Sequence, residues 1–590
     1  MSSSVTLTPP PFPVPDGFRL HTENSSHILI SENEAFLNPV QEFNRDLSVA
    51  CIRTWSEDLN ELKQKRRAQA KEKRALKAKE GSARKRQRVN ESDATAVEPE
   101  SLQTSTEPLQ AGKAVVEAEI STRSEEKSEY KITILEALSA TGLRSIRYAK
   151  EIPSVKYVLA NDLSPTAVTA MKRNVELNGF GPEKEEEEES ARKVNPNLGK
   201  VKVNEGDACA LMYSHRTDRV DVVDLDPYGT AAPFIDAAVQ AVKDEGLLCI
   251  TCTDLSILAT NNYPEKCFSN YGGLPLKAEY SHEAALRLVL HAVSTSASRY
   301  GRYIEPLVSL SIDFYVRLFI RVNSSPFQVK KALTYVSTHS SSTSTLSSRH
   351  RKTSSYFVCT SCQSFYEQPL GRVIEKQGSG ESVNTIYKTQ PGPTVGSKCL
   401  ECDSSLHIAG PMWSGPIHNT DFVSRVLQHT EANKDHYGTA ARMQGMLTVA
   451  KEELHTTFYF TPTKIAGFFH CQTPSLEETT SALLHAGQQV SRSHASPGSL
   501  KTTGTCEDVM DVFRSWVKKH PIKNVSETSP ALRLLAKEPR TEANFSKHPK
   551  SVTSSSKFKI VRYPETPANW GPGSRPATGG GNKRKRKHDN

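Results

Sequence analysis

The segment RVDVVDLDPYGTAAPF, residues 219–234, carries an apolar strand straight into Asp226-Pro227-Tyr228-Gly229. A turn at the end of a buried strand needs the proline and the glycine. It does not need a carboxylate and an aromatic ring beside them. That pair suits chemistry on a conjugated amine. The exocyclic nitrogen of a nucleobase is a poor nucleophile because its lone pair is delocalised into the ring. Acceptors on its hydrogens make the nitrogen pyramidal and aim the lone pair at an electrophile. The Asp226 carboxylate and a carbonyl near Pro227 can be those acceptors. Pro227 fixes the turn, Tyr228 offers a face for a base to stack on, and Gly229 lets the backbone approach closely. The rate gain would come mostly from in-line positioning and electrostatics, with Asp226 also able to take the proton as product forms. Taken alone, the tetrapeptide also fits a plain strand-to-helix turn capped by Asp226, so its neighbours must decide.

Three earlier strand ends carry acids. The stretch LEALSATGLRS places Glu136 near the end of one strand and Gly142 at the turn into a helix. The next strand ends at Asn161-Asp162, about 20 residues after the glycine, the spacing at which a carboxylate binds ribose hydroxyls in a doubly wound fold. A third ends Gly206-Asp207-Ala208, where Asp207 can accept from an adenine amine. Acids after successive parallel strands gather at one carboxyl edge, where such sheets bind ligands. The glycine pattern is not GxGxxG, so a dinucleotide pyrophosphate has no cradle. This favours a nucleoside with a charged side chain, S-adenosyl-L-methionine, over a nicotinamide dinucleotide. Each acid taken singly is equally a cap or a solvated turn residue.

A second chemistry lies in the cysteines, eleven in all. The N-terminus lacks a charged segment followed by an apolar core, and no apolar run reaches the ~20 residues that span a bilayer. The expectation is an intracellular chain with reduced thiols and no membrane partner. Cys359-x2-Cys362 and Cys399-x2-Cys402 then form two knuckles of a closed, structural zinc site. Their long spacer predicts an inserted hairpin in GRVIEKQGSGESVNTIYK. His407 is not required as a ligand. Cys249, Cys252 and Cys267 read as core residues, the first two on opposite faces of a strand.

The elements that must hold these groups follow from periodicity. KITILEAL, VKYVLAND, VKVNEGDA, RVDVVDLD and GLLCITCT are short β-branched runs separated mostly by helical patterns. That alternation predicts a parallel α/β sheet with crossover helices. One helix is well marked, with Ser164 as cap, Pro165 in its first turn and Gly179 at its end. Residues 307–322 read as one long strand. The fold class is α/β, a Rossmann-like class I methyltransferase domain, followed by an α+β domain with the four-cysteine zinc site. The expected divisions are an N-terminal segment, 1–56, contributing to the methyltransferase domain; a charged insertion, 57–128; the methyltransferase domain, 129–322, with an acidic loop at 181–199; a zinc-containing domain, 323–549, which the resemblance described next implies is tRNA-binding; and a disordered basic tail, 550–590. Only 36% of residues are hydrophobic and the net charge is +9, which fits partly unfolded, basic segments. The basic blocks, residues 61–88 and KRKRK at 583–587, suit nucleic acid or nuclear import, and are equally read as solvated tails. The nucleus is the expected location. A mitochondrial one comes second, since the N-terminus lacks acids before Asp16 but also lacks early arginine.

NPVQEFNRDLS (38–48), LEALSATGLRS, NDLSPTAV, EGDA, DLDPYG, YGRYIEPLVSLSIDFYVRLF, GPMWSGPIH (410–418) and SHASPGSLKT (493–502) closely resemble the tRNA (guanine-N2)-dimethyltransferase family. The resemblance runs from Gly17 to about Phe545, apart from the charged insertions. It implies transfer of one or two methyls from S-adenosylmethionine to N2 of guanine 26 of tRNA. It also implies that Arg45, Arg144, Asp162, Asp207 and Ala208 contact the donor and that Asp226 is the catalytic carboxylate, with Pro227 and Tyr228 beside it. Many family members carry Phe at the position of Tyr228, a change that preserves stacking. Without the resemblance, Arg45 and Asp46 read as a surface pair near a helix start. For the phosphate grip the candidates are Arg299, Arg302, His494, Lys501 and the basic insertion. No obligate protein partner is implied, and a monomer is expected. The alternatives are an amino-methyltransferase acting on another substrate, whose families favour two prolines before the tyrosine, and a zinc-containing RNA-binding protein without catalysis. The missing glycines disfavour a dehydrogenase.

Overall fold

The computed structural model describes residues 13–31, 37–92, 129–181, 199–332, 334–335, 353–377, 383–522, 525–526 and 529–552. Most of the expected acidic loop, the second half of the charged insertion and nearly all of the basic tail lie outside them.

The chain opens with a hairpin, β1 (Phe18–Glu23) and β2 (Ser26–Ser31), and a long helix, α1 (Glu42–Ser92). An alternating run follows: β3 (Ile132–Glu136), α2 (Leu143–Glu151), β4 (Val155–Asp162), α3 (Pro165–Leu177), β5 (Val201–Glu205), α4 (Ala208–Ser214), β6 (Val220–Leu225), α5 (Ala232–Ala241) and β7 (Val242–Cys252). Three helices, α6 (Leu255–Leu258), α7 (Pro264–Tyr271) and α8 (Ser281–Ser298), lead to β8 (Arg302–Ile312) and β9 (Tyr315–Ser324). The sheet order is β5-β4-β3-β6-β7-β9-β8, with the first five strands parallel and the last two antiparallel. Reversal at β3 between β4 and β6 creates a switch point at the carboxyl edge, where a ligand crevice belongs. The predicted five strands and the doubly wound class are all present. Helix α3 starts as read, with the Ser164 hydroxyl accepting from the Ala167 N–H and Pro165 opening the first turn.

Two corrections concern strands and boundaries. Residues 307–322 are not one strand. They form the β8–β9 hairpin, which turns at Asp313 with φ of 45° in the left-handed region. The near-alternating apolar pattern continues through the turn and hides it. Helix α1 crosses the expected division at 56/57 without a break, because Leu59 and Asn60 still pack and bond to the domain, while most of the described side chains from Glu61 to Lys77 are exposed.

Helices α1–α3 cover one face of the sheet and α4, α5 and α8 the other. Cys249 and Cys252 enter opposite cores, as strand geometry requires. The C-terminal half does not fold apart from this. Its helices Thr420–Ala432 and Ala440–Glu452 extend the α1 side, and strands Thr353–Cys359 and Leu406–Trp413 pack on the α8 side. Among the described residues of that half, only the region around the four cysteines and helices Pro462–Phe469, Leu476–His485 and Cys506–Lys519 has a core of its own. The predicted hairpin between the knuckles pairs Gly371–Gln377 with Val383–Thr389.

A buried polar interlock joins the halves. Lys501 Nζ lies 3.1 Å from Glu283 on α8 and 3.0 Å from Glu453. His494 meets Glu453 Oε2 at 2.6 Å, and His418 lies 3.6 Å from the same oxygen. The backbone N–H groups of Ser309 and Ser311 on β8 donate to His418 Nδ1 and His494 Nε2. A backbone N–H is accepted only by an unprotonated ring nitrogen, so each neutral ring keeps its proton on the side facing Glu453. The triad therefore offers no ring lone pair to a metal, and Lys501 supplies the cation. This removes His494 and Lys501 from the expected phosphate grip. Arg302 leaves it too, because its buried guanidinium donates to the carbonyls of Val239, Val242 and Lys243.

Candidate active site

Each polar residue of Asn44-Arg45-Asp46-Leu47-Ser48, on the first turns of α1, is buried and bonds a different element. Asn44 donates to Gln41 and to Thr251 on β7. Arg45 is held by Glu23 at the end of β1, with Nε donating at 2.7 Å. Asp46 forms an ion pair with Arg147 on α2 at 2.7 Å and accepts from the Thr439 N–H and hydroxyl of the C-terminal half. The exposed-pair reading of Arg45 and Asp46 is thus wrong. A helical run of polar residues looks solvated until the surrounding partners are known. Ser48 Oγ accepts from Arg144 at 3.1 Å and from Arg317 at 2.8 Å.

Those two arginines define the floor of the site. Arg317 on β9 donates to both oxygens of Asp224, at 2.8 and 3.0 Å, and to Thr251. The Tyr148 hydroxyl donates to Asp224 Oδ2 at 2.5 Å. Burial alone would raise the Asp224 pKa, but Arg317 and Arg144 hold it below the usual carboxylate range. Arg144, 4% exposed, reaches past Glu136 to place Nη2 2.5 Å from Asp226 Oδ2. Asp226 is 24% exposed on its side chain. Sequence reasoning missed Asp224, Arg317, Tyr148 and Ser48. The available signal was a charge inside an apolar strand, which is costly unless paired.

Above this floor lies a cavity of about 510 Å³. It is lined by the α1 entry (Asn38, Gln41, Arg45), the β3–α2 turn (Glu136 to Arg144), Asp162, Asp226-Pro227-Tyr228, Thr253, and the β8–β9 tip at Asp313-Phe314-Tyr315. The volume falls within the roughly 300–1,000 Å³ of small-molecule sites. Its carboxylates and guanidiniums suit a nucleoside carrying a zwitterionic side chain. The tight β3–α2 turn depends on Gly142, whose φ is 78° and where a Cβ would stand 2.7 Å from Met171 Cγ. Asp162 steadies the turn, accepting from the Ala140 and Ser164 N–H groups. The Asp226 turn is zipped to the end of β7. The Gly229 N–H donates to Thr253 Oγ1 and the Thr253 N–H donates to the Gly229 carbonyl, both at 2.8 Å. Gly229 needs its φ of 90° to do this. Tyr228 presents its ring at 82% exposure at the mouth.

The structure therefore brings Arg45, Arg144, Asp162, Asp226, Pro227 and Tyr228 to one cavity. It does not bring Asp207 and Ala208 to the lining. Asp207 caps α4, accepting from the Ala210 N–H, and Ala208 is buried in the core on the α4 side.

The four predicted thiols also converge. Sγ atoms of Cys359, Cys362, Cys399 and Cys402 lie within 4.8 Å of one another, with Cys359–Cys402 at 3.4 Å and Cys362–Cys399 at 3.6 Å. A tetrahedral ion with bonds of about 2.3 Å requires sulfur separations of roughly 3.8 Å. Backbone N–H groups of Ser361 and Glu401 point at Cys359 and Cys399, as suits thiolates. All four cysteines are buried, so the site is closed.

The family model described as TRM, N2,N2-dimethylguanosine tRNA methyltransferase, matches residues 18–514. The tRNA (guanine(26)-N(2))-dimethyltransferase of Schizosaccharomyces pombe is 41% identical over 562 residues, covering 94% of this chain and 92% of that protein. The enzyme of the same name from Homo sapiens is 39% identical over 566 residues, covering 95% and 78%. A Saccharomyces cerevisiae relative, 38% identical over 589 residues and covering 95% and 93%, is named mitochondrial. Among solved structures, the complex of Trm1 from Pyrococcus horikoshii with S-adenosyl-L-methionine covers 84% of this chain and 99% of its own, with a TM-score of 0.56 and 22% identity. That likeness is one of fold.

Glu136 makes the site pH-sensitive. Burial, opposed by Arg144 and Ser145, pushes its carboxyl up to about 8. A raised carboxyl contributes stability that is present below its unfolded pKa and lost as pH rises through about 8. Glu136→Gln should remove that loss. Melting temperatures taken from pH 5.5 to 9 should fall more steeply for the wild type than for the variant, and parallel curves would refute the assignment.

Proposed function

Because the chain belongs to the N2,N2-dimethylguanosine tRNA methyltransferase family, we infer that it transfers methyl groups from S-adenosylmethionine to N2 of guanine 26 in tRNA, once or twice per base. The observation that carries this reading is the placement of Asp226-Pro227-Tyr228 on the same cavity as Asp162, Glu136 and the Gly142 turn. Bound S-adenosylmethionine supplies a sulfonium-borne methyl whose carbon–sulfur electrons leave with sulfur. Asp162 is placed to hold the ribose, and Glu136 and Arg45 to hold the charged end. The Asp226 carboxylate accepts a hydrogen of the guanine amine, directs the nitrogen lone pair and takes the released proton. Tyr228 supplies the stacking face. Guanine 26 must leave its stack to reach this depth, at a cost of a few kcal/mol. Asp226→Ala should lower both transfers by roughly 10²–10⁴-fold while donor affinity persists. Labelled methyl transfer to tRNA with and without guanine 26 measures this, and undiminished turnover in the variant would sink the role.

The four-cysteine cluster is the site of one structural Zn²⁺, bound by Cys359, Cys362, Cys399 and Cys402. It joins the ends of two strand segments to the helix core at residues 462–519. Metal analysis of the purified chain should find about one zinc per molecule. Chelation should lower the melting temperature. A metal-free chain of unchanged stability would exclude the ion.

The tRNA grip is assigned to the outer part of α1. Lys65, Arg67, Lys71, Lys73, Arg74 and Lys77 are exposed along it. At 1.5 Å per residue, Lys71 stands about 39 Å along the helix from Arg45, far enough to follow a tRNA arm away from the cavity. Arg299, 64% exposed beside Asp236, remains a candidate nearer the sheet. The tail block at 583–587 fits nuclear import. Replacing Lys65, Arg67, Lys71, Lys73 and Arg74 by Gln should flatten the salt dependence of tRNA affinity by about one unit of slope per lost phosphate contact. An unchanged slope would place the grip elsewhere.

A further inference from the structure

The contact between Arg144 and Asp226 bears on how one site performs two transfers. Arg144 Nη2 lies on Asp226 Oδ2 at 2.5 Å. The guanidinium is itself held by Ser48 and flanked by Glu136 and Asp224, so it is not a mobile side chain lent to the carboxylate. Among the described residues no protein group bonds Asp226 Oδ1, and the carboxylate is half-open toward the cavity. One oxygen is thus committed to the protein and the other remains for the substrate.

We propose that Arg144 is a positioning residue for Asp226, fixing the carboxylate so that Oδ1 alone meets the guanine amine and the same single contact serves both methyl transfers. This rests on the function proposed above. In the first transfer one N–H lies on Oδ1. The nitrogen lone pair bonds the methyl carbon, the carbon–sulfur pair goes to sulfur, and the surplus proton passes to Oδ1 and on to water. The product amine has one methyl and one hydrogen. That hydrogen takes the place on Oδ1, the methyl takes the position of the hydrogen that had no carboxylate partner, and the step repeats with the same balance. A site that needed both carboxylate oxygens would lose a contact after the first methyl. The family resemblance assigns Arg144 to the donor, whereas the geometry directs it to the acceptor side.

Freed from Arg144, the carboxylate can turn. The first amine tolerates this better than the second, because either of two hydrogens can be held instead of one. The test uses full-length Arg144→Gln and Arg144→Lys with tRNA bearing guanine 26, scoring monomethyl and dimethyl products by nucleoside mass spectrometry, kcat at saturating donor and tRNA, and donor Kd. For Arg144→Gln, kcat should fall between about tenfold and 10²-fold, the products should shift toward monomethylguanosine, and donor Kd should stay within about threefold. Arg144→Lys should restore part of both kcat and the dimethyl fraction. A donor Kd that weakens in step with kcat/KM, with kcat recovered at saturation, would make Arg144 a donor contact and overturn the proposal. So would an unchanged product ratio. If Arg144→Gln does not fold, Arg144→Lys decides alone by its dimethyl fraction, which must fall below wild type. Failure of the wild type itself to methylate guanine 26 would instead overturn the functional reading.

Discussion

Beneath the carboxyl edge of the sheet, two buried guanidiniums neutralise one buried and one partly exposed carboxylate, and the candidate active site is built on that set. Asp224 is bound by Arg317 and Tyr148, Arg144 lies between Asp224 and Asp226, and Ser48 accepts from both arginines. Removing one partner from a buried pair typically costs about 3–5 kcal/mol, since the other charge is left without compensation. The groups are therefore coupled as a set. Of its two carboxylates only Asp226, at the rim of that set, lines the cavity, and the proposed catalytic role falls to it. Its orientation derives from charges that never touch the ligand.

The same logic explains why the N-terminal helix and the C-terminal half belong to the catalytic unit. Ser48 and Asn44 reach the sheet floor from α1. Asp46 ties α1 to Thr439, and Arg442 grips both oxygens of Asp313 at the β8–β9 tip, at 2.9 and 2.8 Å. That tip forms part of the cavity wall. Farther out, Lys501 bridges Glu283 and Glu453 with no exposure to solvent. The halves share polar contacts that form only when both are in place, so the two are locked in register. The four cysteines lie within a separate core formed with the helices at residues 462–519.

The mouth of the site differs from its floor. Tyr228 stands 82% exposed, and Phe314, also an exposed aromatic, lines the same cavity. An open aromatic face next to a recessed carboxylate suits a base swung out of a folded RNA, since stacking tolerates approach from solvent while the amine is read at depth. The long basic helix leads away from this mouth. Lysines and arginines crowd its outer turns, an arrangement that favours a polyanion as partner.

Local chemistry made much of this legible from the chain alone. Five strands, the Ser164-capped helix, the knuckle cysteines and the intervening hairpin, and the cluster of acids at strand ends all follow from periodicity, capping and spacing, which act over a few residues. The hairpin at Asp313 was hidden because its apolar pattern runs on through the turn. The parts that needed tertiary structure are those whose meaning depends on a distant partner. Arg302, His494 and Lys501 have the residue types of a phosphate grip but are buried against carbonyls or carboxylates. Arg45 and Asp46 look like a solvated pair but are pinned by Glu23, Arg147 and Thr439. Asp207 follows its strand as expected, yet its side chain caps α4 instead of lining the cavity. A residue's type and neighbours determine what it can bond. Which groups exclude water around it, and so which charge is neutralised and which is left to act, is decided only when segments far apart in sequence are packed together.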